Sequence, residues 1–235
     1  MVPKAEEEME MEKTIRVTGR GQVAVPPDRI RLKFSLEERK DTYQEAVRAS
    51  KQSVDEIRDL FVKLGFDGKE LKTESFQIEA VFERETNKKK EWVRVFKRYE
   101  YSHSLKIEFD LDHELLGKIL GRVSRCEFHP EFKILYTVKD REAVKNTLLE
   151  NAVKDSKAKA EILAKAAGMK LGEIASIDYS WGEIELVNST YGKLLDTMRL
   201  CEDEADDYYC DDEPMQLEPD DITASDTVTI IWKLE

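Results

Sequence analysis

The stretch Thr18–Asp28, TGRGQVAVPPD, decides how the rest of the chain is read. Two glycines spaced G-x-G near the start of a chain invite a nucleotide site, because glycine loops cradle phosphate where a helix begins. That cradle requires a helix directly after the loop. Here apolar residues recur at period two instead, with Ile15, Val17, Gly19, Gly21, Val23 and Val25 on one face of a strand. Pro26-Pro27-Asp28 ends it. A second half-buried strand follows, Ile30, Leu32, Phe34 and Leu36 alternating with Arg31, Lys33 and Ser35. The two are expected to pair as a hairpin. The terminal Gly-Lys-Ser/Thr of a P-loop is missing, so the glycines are read as a bulge or a close backbone approach within a strand.

Working outward, residues 42–64 carry the clearest helix. Tyr43, Val47, Ser50, Val54, Ile57, Phe61 and Leu64 recur at spacings of four and three and form one stripe. Thr42 with Glu45 makes a capping box, and Gly65 supplies a C-terminal stop. Two strands come next, joined by residues 85–90, ETNKKK. Phe76, Ile78, Ala80 and Phe82 share a face of the first. Val93, Val95, Tyr99, Tyr101, Leu105, Ile107 and Phe109 share a face of the second, interrupted by Lys97 and His103. This reads as a long β-hairpin protruding from the body, with a basic tip. Such a ribbon either pairs with another chain or stays exposed.

A short helix follows Asp112, with Leu116, Ile119, Leu120 and Val123 inward. A strand spans Phe132 to Val138. A helix then runs from an Asp140 N-cap to Gly168, with a small-residue face of Leu149, Ala152, Ser156, Ala160, Leu163 and Ala167 that allows close approach to a sheet or helix. Ile174, Ile177 and Tyr179 mark a strand, and Val228, Ile230, Trp232 and Leu234 mark a terminal one. The fold class is α+β, a largely antiparallel sheet covered by long amphipathic helices. Residues 1–13 form an acidic tail and 14–235 one domain. Its halves are 14–110 and 111–235, the second with an irregular acidic insertion at about 182–221.

With 235 residues, 40% of them hydrophobic and 37% charged, the composition is that of a globular protein with a charged exterior. No apolar run reaches the roughly 18 residues of a membrane-spanning helix. The acidic N-terminus has no apolar stretch, and Cys126, Cys201 and Cys210 make no disulfide framework. A reducing, cytoplasmic setting is expected. The net charge of −12 argues against nucleic acid as the main partner.

Several of these segments resemble the SIMPL-domain family, named for a signalling molecule that associates with a pelle-like kinase. Val17-x-Gly19-x-Gly21 through Val25 to Pro27-Asp28 resembles its opening signature, and Thr73-Glu74-Ser75-Phe76-Gln77-Ile78 is similar to its strand after the first helix. Ala158-x-Ala160 through Ala164, with Gly168-x-x-Leu171-Gly172, matches its second helix and exit. Ile222-Thr223-Ala224-Ser225 through Val228 to Leu234 looks like its closing strand. The likeness covers about residues 14–180 and 222–235. It implies a sheet-and-helix domain often found in bacterial envelope proteins, and no agreed catalytic residues to carry over. Many bacterial members carry export signals that this sequence does not show, and the acidic segment around 201–213 has no counterpart.

For chemistry, Cys126-x-x-His129 with Cys201 and Cys210 is weighed as a zinc set, but its spacing is far from the usual C-x₂₋₄-C. The acidic run 202–213 lacks an EF-hand's glycine and terminal glutamate and reads as a solvated segment. Basic residues interleaved with Trp92, Phe96, Tyr99 and Tyr101 have the pattern of a single-strand stacking platform. Strand alternation explains those aromatics more simply. No G-x-S-x-G, H-E-x-x-H or kinase signature is present, and no nucleophile is identified beside His103, His113 or His129. No catalytic, cofactor or metal residue is assigned and no cofactor is expected. The expected contact surface is Lys88, Lys89, Lys90, Trp92, Arg94, Phe96 and Arg98 with Asp203, Asp206, Asp207, Asp211 and Asp212. The leading expectation is a non-enzymatic protein acting by self-association as a homo-oligomer or by binding another protein. The alternative is an enzyme or small-ligand binder using a cleft between helices and sheet.

Overall fold

A computed structural model describes residues 13–86, 92–126, 128, 130–180, 184–189 and 218–235. In chain order the elements are β1 (Thr14–Val25), β2 (Arg29–Lys40), α1 (Tyr43–Lys63), β3 (Lys72–Thr86), β4 (Trp92–Asp110) and α2 (His113–Val123). There follow β5 (Glu131–Thr137), α3 (Arg141–Ala166), β6 (Leu171–Asp178), β7 (Val187–Ser189) and β8 (Ile222–Leu234). The fold is α+β, with every strand pairing antiparallel. The chain divides into two compact units. One holds residues 1–26, 138–186 and 221–235, the other 27–137 and 187–220.

In the first unit, β1 pairs with β8 along its whole length, from Thr14 opposite Lys233 to Val25 opposite Ile222, and β6 lies on the other side of β8. The expected hairpin between β1 and β2 does not form: the two strands belong to different sheets. Pro26-Pro27 also disfavours a tight turn between them. Tight hairpin turns need positive φ at their central residues, whereas each proline ring fixes φ near −65°.

The register of β1 is unbroken, so Gly19 and Gly21 are no bulge. They serve a close approach. A β-carbon on Gly19 would stand 2.0 Å from the Ala152 carbonyl oxygen, and one on Gly21 would stand 1.9 Å from that of Leu148. Helix α3 thus lies with its backbone against β1. It starts at the Asp140 N-cap, whose carboxylate accepts from the Ala143 N–H at 2.8 Å. Its inward residues are Leu148, Ala152, Ser156, Ala160 and Ala164, each four after the last. The expected stripe is therefore corrected at three places. Leu148 and Ala164 replace Leu149 and Ala167, and Leu163 stays half exposed. Contact with two glycines rewards the smallest row on the helix, not the most apolar one.

Side chains of α3 also reach the outer backbone edge of β1. Asp155 accepts from the Arg20 N–H at 2.7 Å, and Asn151 donates to the Gln22 carbonyl at 3.1 Å. An edge strand is thereby covered.

In the second unit the sheet order is β3-β4-β2-β5-β7. Strand β2 is central to the core. Ile30, Leu32, Phe34 and Leu36 are almost fully buried between Phe109, Ile107 and Leu105 of β4 and Tyr136 and Ile134 of β5. Helix α2 adds Leu116, Ile119, Leu120 and Val123, as its spacing requires. Helix α1 opens with the expected capping box and closes at Gly65, whose φ is 97°. There the Phe66 N–H bonds the Phe61 carbonyl and the two rings meet edge to face, the apolar contact that accompanies this kind of stop.

The buried face of α1 is Ala46, Ser50, Ser53, Val54, Ile57, Leu60 and Phe61, whereas Tyr43 and Val47 are exposed. The first turn of the expected stripe therefore points away from the core. Tyr43 instead leans its ring on Tyr99, 5.8 Å away.

Candidate interaction surface

The feature that period-two counting misses is a β-bulge in β4. Val81 pairs with Arg98, yet its neighbour Phe82 pairs with Phe96, so Lys97 is an extra residue. An inserted residue reverses the alternation of everything beyond it. Val93 and Val95, expected on the face of Tyr99 and Tyr101, are turned to the opposite face. Trp92, Arg94 and Phe96 take their place.

The side chains confirm the reversal. Phe96 stacks on Phe82 at 5.8 Å and on Tyr99, three residues away, at 5.1 Å. Tyr99 continues to Tyr43, and the Arg94 guanidinium lies over the Phe82 ring at 4.3 Å. A row Tyr43–Tyr99–Phe96–Phe82–Arg94 results, with Trp92 following on the same face. Trp92 is 73% exposed, and Tyr43, Phe82 and Phe96 are between 41% and 53% exposed. Edge-to-face and tilted contacts of this kind hold rings rigid, and exposed rigid aromatics with arginine are the residues that anchor protein interfaces.

On the opposite face Lys97 binds Glu85 and lies 3.9 Å from Glu83. Arg98 reaches Asp41 at 3.5 Å. Of the expected surface, then, Trp92, Arg94 and Phe96 come together and Arg98 does not join them. Lys88, Lys89, Lys90, Asp203, Asp206, Asp207, Asp211 and Asp212 lie outside the described residues, as do His129, Cys201 and Cys210. Tyr101, considered above for stacking on nucleic acid, is buried, and its hydroxyl lies 3.2 Å from Ser53 Oγ.

Below this row sits a polar cluster that the sequence did not disclose. His103 Nδ1 lies 3.0 Å from Ser50 Oγ on α1, and its Nε2 lies 3.0 Å from Thr73 Oγ1 on β3. Phe76 covers the ring at 4.9 Å. Burial pushes the His103 pKa below its ordinary value. A neutral imidazole carries one donor and one acceptor, and a hydroxyl on each side satisfies both. His103 is thus the polar tie between β4, β3 and α1 where the apolar pattern of β4 breaks. The spacing 50–73–103 follows no motif, so only the fold brings these groups together.

On the open face of the same sheet Lys33 and Lys106 stand opposite each other, and Glu74, which the β3–β4 register skips between Thr73 and Ser75, reaches both, at 2.9 and 3.2 Å. Burial alone would raise the Glu74 carboxyl, but the two ammonium groups outweigh it and hold its pKa below the usual value. In the first unit, a shallow recess of about 400 Å³ is lined by Arg20, Gln22, Val23, Ala24, Thr223, Ala224 and Ser225, which include one titratable side chain. Cys126 is buried, and burial raises its thiol pKa. Among the described residues no group of three or more His, Cys, Asp or Glu side chains is placed to hold a metal ion. No helix there is long and apolar enough to cross a membrane.

Two curated proteins resemble this chain. Both are described as a 26 kDa periplasmic immunogenic protein, one from Brucella melitensis biotype 1 and one from Brucella abortus strain S19. Each is 28% identical over 165 residues, which is 69% of this chain and 65% of the relative. The match thus spans just under two thirds of the relatives' length. Their description as periplasmic stands against the cytoplasmic setting expected above. The family model described as SIMPL, a protein of unknown function (DUF541), matches residues 15–232. With a match that runs from the first residues of β1 almost to the end of β8, this chain belongs to the SIMPL family.

Proposed function

We propose that this chain works by binding protein, a second copy of itself or another partner, and not by catalysis, and that its contact surface is the aromatic row of β3 and β4. In this reading β3 and β4 form a long ribbon whose far end extends beyond α1 and presents Trp92, Arg94, Phe96 and Phe82 together. The observation that supports it is the contiguous exposed set of rings created by the Lys97 bulge. Half-exposed rings that already contact one another have little side-chain freedom left to lose on binding, which favours association.

The test compares the full chain with a Phe82→Ala/Phe96→Ala variant by light-scattering mass and by identification of co-purifying proteins. Loss of a defined assembly or of a defined partner in the variant supports the proposal. The variant keeping both would overturn it.

A further inference from the structure

Two edge strands of this protein are treated differently. The outer backbone of β1 receives side chains from α3. Strand β3 ends the five-stranded sheet, and among the described residues only β4 pairs with it. It runs from Lys72 to Thr86 with no proline, and Phe76 and Phe82 on its α1 side are 49% and 41% exposed. Long uncovered edges pair with further strands unless charge prevents it. The charges that would do so are partly cancelled within the protomer, because Lys97 engages both Glu83 and Glu85.

We propose that β3 pairs antiparallel with β3 of a second copy, about a two-fold axis at Ala80. Like charges disfavour the centres nearest to it, and a two-fold at Gln77, which opposes none, pairs only Lys72 to Phe82. A two-fold at Glu79 sets Glu79 against its own copy. A two-fold at Ile78 sets Lys72 against Arg84, and one at Val81 sets Glu79 against Glu83. Directly opposed like charges destabilise a sheet. Centred on Ala80, the pairs are Glu79 with Val81, Gln77 with Glu83, Ser75 with Glu85 and Glu74 with Thr86. On the aromatic side, Ile78 meets Phe82 and Phe76 meets Arg84. No like charges oppose one another, and the aromatic rows of the two copies meet across the axis. The inference rests on the β3–β4 face being the contact surface and names its partner.

The test uses the full chain with Cys126→Ala, Cys201→Ser and Cys210→Ser, to which single cysteines are added on β3. Ala80 is exposed, so Ala80→Cys leaves the fold intact, as circular dichroism would verify. Directly opposed residues bring their β-carbons within reach of a disulfide, and neighbours two positions away do not. Mild oxidation of Ala80→Cys is expected to give a covalent dimer at about ten times the yield of Ile78→Cys or Phe82→Cys alone. An equal mixture of those last two variants restores the cross-link. Absence of a dimer with Ala80→Cys, or equal yield from Ile78→Cys, overturns the pairing. If Ala80→Cys fails to cross-link while Phe82→Ala/Phe96→Ala still loses another defined partner, the two-fold pairing is wrong and the contact surface stands. If that double variant keeps both assembly and partners, the contact surface is wrong as well.

Discussion

Gly19 lies under Ala152 so closely that a β-carbon on the glycine would stand 2.0 Å from the alanine's carbonyl oxygen. That contact fixes the distance between α3 and β1. Gly19→Ala forces the two apart along a row that includes Gly21, Leu148 and Ser156. We expect a loss of about 3 kcal/mol or more in urea-induced unfolding, at the upper end of overpacking effects. Gly117→Ala, whose added β-carbon meets nothing within 4 Å, is the control and should cost no stability.

His103 makes stability depend on pH. Burial lowers its pKa in the folded protein, so the unfolded chain takes up the proton first. This contribution is fully present above the ordinary value of 6.5 and declines as pH falls below it, until the folded pKa is reached. Unfolding midpoints between about pH 7.5 and 5.5 should therefore fall for the native chain. His103→Asn should be less stable at the top of the range and show a shallower decline. Parallel curves would show that His103 carries no linkage.

Tyr136 is fully buried, and its hydroxyl has no hydrogen-bond partner among the described residues. Tyr136→Phe removes a desolvated polar group and keeps the ring among Ile30 and the apolar core. Stability should stay level or rise by about 1 kcal/mol in thermal or denaturant melts. A loss of similar size would reveal a bond to the hydroxyl.

Thr42 caps α1 from both directions. Its hydroxyl accepts from the Glu45 N–H at 3.2 Å, while its own N–H donates to the Glu45 carboxylate at 3.1 Å. Thr42→Ala should cost about 1 kcal/mol. Thr42→Ser should retain most of it, which separates capping from general packing of the position.

Deleting Lys97 removes the extra residue of the bulge. The strand then regains plain alternation in the same pairing, so Trp92, Arg94 and Phe96 keep the face of Tyr99 and Phe82. The core lies on the other side of Tyr99, so thermal stability should change little. Any assembly or partner lost in Phe82→Ala/Phe96→Ala should be kept here. Light scattering checks this, and loss of the assembly with the aromatic row intact would separate that row from association.

Much of the local structure was legible because it rests on short-range rules. Thr42 and Glu45 three residues apart make a cap wherever a helix begins, and Leu116, Ile119, Leu120 and Val123 spell one buried stripe. The two readings left open for Gly19 and Gly21 were narrowed only by knowing what lies on them. A period cannot name the neighbour. The aromatic surface was half legible: Trp92, Arg94 and Phe96 could be picked by residue type. Their common face with Phe82 and Tyr99 depends on one unpaired lysine.

By itself the sequence determined the α+β class, the order of the helices and most strands, their caps and the apolar sets of α2 and β2. These follow from side-chain periodicity and from capping geometry, which reach only a few residues along the chain. The tertiary structure decided that β1 joins β8 and not β2, that α3 turns its smallest row to the glycines, and that His103 meets Ser50 and Thr73. It also decided on which side of β4 the aromatic residues gather. Each of these depends on partners far away in sequence, and strand register, where one inserted residue exchanges the two faces of a sheet, is set by pairing with those partners.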